Sequence, residues 1–101
     1  MRRAANKDHQ HSDIVAALRK AGCSVRPWGI DGAPDLVVGR ASRTYLLEVK
    51  DPPGKRGGTG RDGQQLNERQ QRWHADWRGH VAVVHSPVEA LIACGVASVP
   101  R

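Results

Sequence analysis

A chain of 101 residues, 39% hydrophobic and 26% charged, is long enough for one modest core and too apolar for a disordered polymer. No apolar run approaches the roughly 18 residues of a membrane span, and the start, Met1-Arg2-Arg3-Ala4-Ala5-Asn6-Lys7, lacks the apolar segment of a secretion signal. A cytoplasmic protein with no membrane partner is expected, and its net charge of +6 favours an anionic partner, most commonly nucleic acid.

Residues 1–10 are polar and read as a flexible tail. Ser12 is a candidate N-cap for a helix over 13–21, with Ile14, Val15, Leu18 and Ala21 as its apolar stripe and Gly22 as the stop. Asp13 falls in the first turn, where an acid either complements the helix dipole or serves a site. A short strand over 23–26 ends at Pro27, and Gly29, Gly32 and Pro34 make an irregular approach to Asp35. Two strands follow, at 35–39 and 44–50, joined by the short polar connection Gly39-Arg40-Ala41-Ser42-Arg43. The stretch from Asp51 to Gly63 holds five glycines and two prolines, so 51–64 reads as a flexible loop. Its Lys55, Arg56 and Arg61 suit either a solvated linker or a cover over a phosphate backbone.

A helix is expected over 65–78, with Leu66, Gln70, Trp73 and Trp77 on one face. Gln70 is the anomaly, because an amide in an apolar stripe needs a polar partner. His74, one turn later, is expected at the surface. Residues 80–85 read as a core strand. Ser86-Pro87-Val88-Glu89 reads as a capping box opening a helix over 87–94, with Val88, Leu91 and Ile92 inward and Gly95 as its end. The order gives a single α/β domain, a small mixed sheet flanked by helices, with a right-handed crossover between the hairpin and the last strand.

The chemistry concentrates in the hairpin. Glu48 and Lys50 share one face of their strand, while Leu47 and Val49 take the other. A turn centred between Ala41 and Ser42 pairs Val38 with Tyr45, Val37 with Leu46, Leu36 with Leu47, and Asp35 with Glu48. Opposed Cβ atoms lie about 4.5–5.5 Å apart, so the two carboxylates repel unless a cation sits between them. Oxygen ligands of this kind suit Mg²⁺ or Mn²⁺, with Lys50 on the same face.

These residues resemble the PD-(D/E)xK nuclease superfamily, and most closely small stand-alone members of the VRR-NUC (virus-type replication and repair nuclease) family. The resemblance runs from Gly32-Ala33-Pro34-Asp35-Leu36-Val37-Val38 through Leu47-Glu48-Val49-Lys50 to Leu66, Gln70 and Trp73-His74. It extends to Trp77-Arg78-Gly79 leading into Val81-Ala82-Val83-Val84. It implies a restriction-endonuclease-like core and metal ligation by Asp35, Glu48 and the Val49 carbonyl. Lys50 is implied to orient or activate the water, and Gln70 to support the site. A helix acid often completes such sites; the matching position is Asp13, one methylene shorter than the usual Glu. The implied activity is hydrolysis of DNA, with branched DNA such as four-way junctions as substrate and a homodimer as the acting form.

Other readings are open to the same residues. A non-catalytic basic DNA-binding module explains the charge but not Asp35 facing Glu48. A toxin-like ribonuclease would place His or Arg in acid–base roles. Structural zinc would need paired spacing that His9, His11, His74, His80, His85, Cys23 and Cys94 lack, and the two cysteines are expected as buried reduced thiols.

Overall fold

The computed structural model describes residues 5–51 and 66–98. Helix α1 spans Ala5–Lys20, followed by strands β1 (Ser24–Pro27), β2 (Leu36–Arg40) and β3 (Arg43–Val49). Helix α2 (Glu68–Asp76), strand β4 (Ala82–Val84) and helix α3 (Pro87–Ala93) complete the order. The four strands form one sheet in the order β1-β2-β3-β4, antiparallel except for the parallel pair β3–β4. The expected α/β class and mixed sheet are therefore found. The loop carrying Lys55, Arg56 and Arg61 lies outside the described residues, as do residues 1–4 of the expected tail.

Helix α1 begins eight residues before the expected start at 13. No Gly or Pro interrupts Ala5–Ala21, and once Ile14 and Leu18 are anchored in the core the helix propagates back through polar residues. Ser12 is therefore inside the helix rather than its cap, and Asp13 stands in its middle, away from the dipole's positive end. Gly22 ends the helix as expected. Its φ of +96 suits glycine, and the N–H groups of Gly22 and Cys23 close on the carbonyls of Arg19 and Leu18.

The sheet has an apolar face built by period-2 alternation. Val25, Leu36, Val38, Leu47, Val49 and Val84 pack with Ile14 and Leu18 of α1 and with Ala90 and Cys94 at α3. Each large aliphatic side chain buried here contributes about 1.5–3 kcal/mol. Cys23 and Cys94 are both buried free thiols; burial and the neighbouring Cys23 push the Cys94 thiol up to about 11, which suits an inert core position. In α3 Ala90 is buried and Leu91 packs against the core as expected, with Cys94 buried at the helix's end, whereas Val88, expected inward, is exposed. Small residues let α3 pack close to α1, and the apolar stripe is displaced from Val88. Ser86 caps this helix by accepting the Glu89 N–H, but the Glu89 carboxylate turns to the N–H and ring of His85, so the capping box is only half made.

The hairpin register is the expected one, with Leu36 opposite Leu47, Val37 opposite Leu46 and Val38 opposite Tyr45. Its loop is the two residues Ala41 and Ser42, with φ of 52 and 66. Two left-handed residues in a two-residue loop match the twist of the flanking strands, but Ala and Ser adopt that conformation at a cost of about 1–2 kcal/mol per residue. Replacing Ala41-Ser42 by Asn-Gly should stabilise the fold by about 1–2 kcal/mol, or about 4–8 °C in Tm per kcal/mol. An unchanged or lower Tm in thermal melts would contradict this account of the turn.

Candidate active site

The register fixes where the acidic pair stands. One step beyond the Leu36–Leu47 pair, Asp35 falls opposite Glu48. Asp35 Oδ2 accepts the N–H of Val49, the residue between Glu48 and Lys50, at 2.8 Å. In a strand the N–H and C=O of one residue point to the same neighbour, so the Val49 carbonyl is turned toward the Asp35 side. Lys50 points its own N–H the other way, to Val84 O at 3.0 Å.

Glu48 lies on the sheet face opposite the aliphatic core, yet is 0% exposed, and Lys50 is only 7% exposed. Lys50 Nζ lies 3.9 Å from Glu48 Oε2, and Gln70 Nε2 donates to the same oxygen at 2.9 Å. An ion pair at that distance gains on the order of 4 kcal/mol at an effective dielectric near 20. Removing each ion from water costs several kcal/mol. The two nearly cancel, so the arrangement is not explained by stability; buried charges of this kind cluster at functional sites.

Gln70 uses both ends of its amide. Its Oε1 accepts the N–H of Asn67 at 2.9 Å while Asn67 Oδ1 accepts the N–H of Gln70, a complete capping box at the start of α2. The side chain that supports Glu48 thus also begins its own helix. Sequence reasoning singled out Gln70 but missed this cap, although Asn67-x-x-Gln70 carries the pattern. The cap also sets α2 at Glu68–Asp76 rather than 65–78, with Leu66 before the cap and Trp77 beyond the helix in extended conformation.

The approach to Asp35 is tied to α2 at three places. Asp31 pairs with Arg69 at 2.7 Å, and a Cβ on Gly32, whose φ is +84, would come within 3.2 Å of the Arg69 carbonyl oxygen. The Trp28 ring meets Trp73 edge-on at 6.0 Å. Asp31 and Arg69 are exposed, so their pair adds at most about 1 kcal/mol; the close backbone approach at Gly32 sets the spacing.

His74 differs from its expected surface position. It is half-buried, and its Nε2 is buried without a hydrogen-bond partner among the described residues. Burial, then the charge of Lys50, hold its pKa below 6.5. Asp13 is exposed, and it belongs to the helix that packs on the aliphatic face. Among the described residues no group of three or more His, Cys, Asp or Glu side chains is gathered to hold a metal, so the structure does not bring Asp13 to Asp35 and Glu48.

Two outcomes follow. Gln70→Ala removes a cap and a bond to a buried carboxylate and should cost about 1–3 kcal/mol in denaturant melts. Gln70→Glu should cost more, and more at high pH than at low, because it sets a carboxylate against Glu48. Wild-type stability in Gln70→Ala would refute the dual role. For His74, the unfolded chain takes up a proton near pH 6.5 that the folded chain resists. Its contribution is present above that pH and is lost as pH falls below it. His74→Gln should therefore lose less Tm than wild type between about pH 7.5 and 5.5; equal losses would count against a buried neutral ring.

No family model and no curated protein matches the chain. Among solved structures, one named "VRR_NUC domain" superposes on it with a TM-score of 0.63 and 25% sequence identity, covering 84% of this chain and 91% of that chain. A TM-score of that size over most of both chains shows a shared fold. The chain is therefore similar in fold to a VRR-NUC domain.

Proposed function

We propose that the protein is a nuclease that hydrolyses DNA phosphodiester bonds with the help of a divalent metal ion. The observation that carries this reading is Glu48, fully buried between Lys50 and Gln70 at the end of β3, with Asp35 hydrogen-bonded to the adjacent peptide. The likeness to the VRR_NUC structure supports it. A non-catalytic DNA-binding module has no use for a buried carboxylate on the sheet's polar face.

The donor set fits a hard cation. Asp35, Glu48 and the Val49 carbonyl would hold it, all oxygen donors; Mg²⁺ binds through one or two carboxylates and keeps water and substrate phosphate as its remaining ligands. When bound, such an ion lowers the pKa of a coordinated water and polarises the phosphate. The chain's own residues do the rest. Lys50 meets negative charge building on the phosphate oxygens and holds the attacking water. Gln70 fixes the Glu48 carboxylate, and the Val49 N–H fixes that of Asp35.

The finer reading is that the substrate is branched DNA, such as a four-way junction, and that the acting form is a homodimer. A two-fold pair presents two identical sites in fixed relation, as a symmetric junction requires. Light scattering beside cleavage of junction, flap and linear duplex tests this part separately.

Glu48→Gln should keep the fold and lower cleavage by about a hundredfold or more. Lys50→Ala should lose cleavage while keeping most of its metal affinity by titration. Full activity in excess EDTA would sink the metal-dependent reading.

A further inference from the structure

All three tryptophans of the chain stand in one row, while the buried core contains no aromatic ring. Trp28 meets Trp73 edge-on at 6.0 Å, and Trp73 stacks on Trp77 at 4.9 Å with planes 21° apart. The row starts at the candidate site. The backbone N–H of Trp28 donates to the backbone carbonyl of Asp35 at 2.9 Å. Trp73 lies three residues after Gln70 and touches the His74 ring. The far end is held rigid: Trp77 Nε1 donates to His80 O at 3.1 Å, and the Gly79 backbone lies so close that a Cβ there would come within 2.9 Å of the indole.

Rings spent only on packing would be covered, yet Trp77 is 40% exposed and Trp28 and Trp73 are only half-buried. Helix α2, which carries Trp73, has no buried residue. Exposed guanidinium groups accompany the rings. Among the described residues, Arg69 and Arg72 are held in solvent-exposed ion pairs with Asp31 and Glu68, pairs weak enough for a phosphate to displace, and Arg78 is also exposed. Indole surface flanked by arginines, on a chain of net charge +6, is the composition that binds single-stranded nucleic acid, because every base offers a π-face to stack. A duplex hides those faces in its own stack.

We propose that the Trp28–Trp73–Trp77 row binds the bases of unpaired nucleotides beside the acidic pair, so that the protein takes DNA at a single-stranded segment or branch. The position of the cut rests on the nuclease reading; the binding does not.

The test is a titration in EDTA, where nothing is cut, following intrinsic tryptophan emission. The ligands are a thymidine oligonucleotide of about a dozen residues and a blunt duplex of equal phosphate count. The single strand should quench the emission and bind the more tightly. Trp77→Leu and Trp28→Leu should each weaken single-strand binding by about tenfold or more, leaving duplex binding unchanged. Equal affinity for the two ligands, or single-strand binding without a change in emission, overturns the proposal. So does emission that shifts with protein concentration alone, which would assign the row to a second copy of the chain. Should a variant fail to fold by circular dichroism, the wild-type quench and the affinity ratio still decide. A protein that quenches on the single strand but never cuts with Mg²⁺ overturns the nuclease reading alone.

Discussion

A carboxylate with no solvent contact must be supplied with positive charge and hydrogen-bond donors by the protein itself, and Glu48 imposes that requirement here. Lys50 arrives by strand alternation, two residues along the same face. Gln70 arrives by placing α2 over that face, which in turn needs the loop before Asp35 to pack on Arg69. The consequence is visible at the end of β3, where Leu46, Leu47, Glu48, Val49 and the following Lys50 are all buried. That strand is covered on both faces, as the centre of an α/β sandwich should be. One face is aliphatic and contributes stability. The other is ionic and contributes little net, so a fold of this size carries a buried charged cluster without giving up its core.

Much of this was legible in the residues. Alternation and a two-residue turn leave one register for the hairpin, so the facing of Asp35 and Glu48 could be deduced from Ala41-Ser42 outward. Gln70 betrayed itself as a polar residue in an apolar stripe. Helix limits were less legible because they depend on atoms distant in sequence or on caps. Ala5–Ser12 is helical by extension from Ile14 and Leu18, with no periodicity of its own. Val88 has the spacing of an inward residue, but close packing of α1 and α3 selects Ala90 and Cys94 instead. Trp73 and Trp77 look like core residues in any hydropathy pattern; that they stand aside from it depends on where α2 comes to rest. His74 offered no signal beyond its one-turn spacing from Gln70, because its environment is set by burial and then by the charge of Lys50, just after β3 and far away in sequence.

The lack of any buried residue in α2 has a dynamic consequence. Segments that open without global unfolding are those with few buried apolar contacts, and α2 meets that description while β3 does not. Because Gln70 is at once part of the helix's cap and Glu48's donor, fraying of the first turn of α2 withdraws that donor from the carboxylate in the same event. The hydrogen bonding of Glu48, fully buried among the described residues, is thereby coupled to a local opening equilibrium of a short surface helix. Any ligand that binds only the closed form draws that equilibrium shut by mass action, so occupancy of the site and amide protection along α2 are linked quantities.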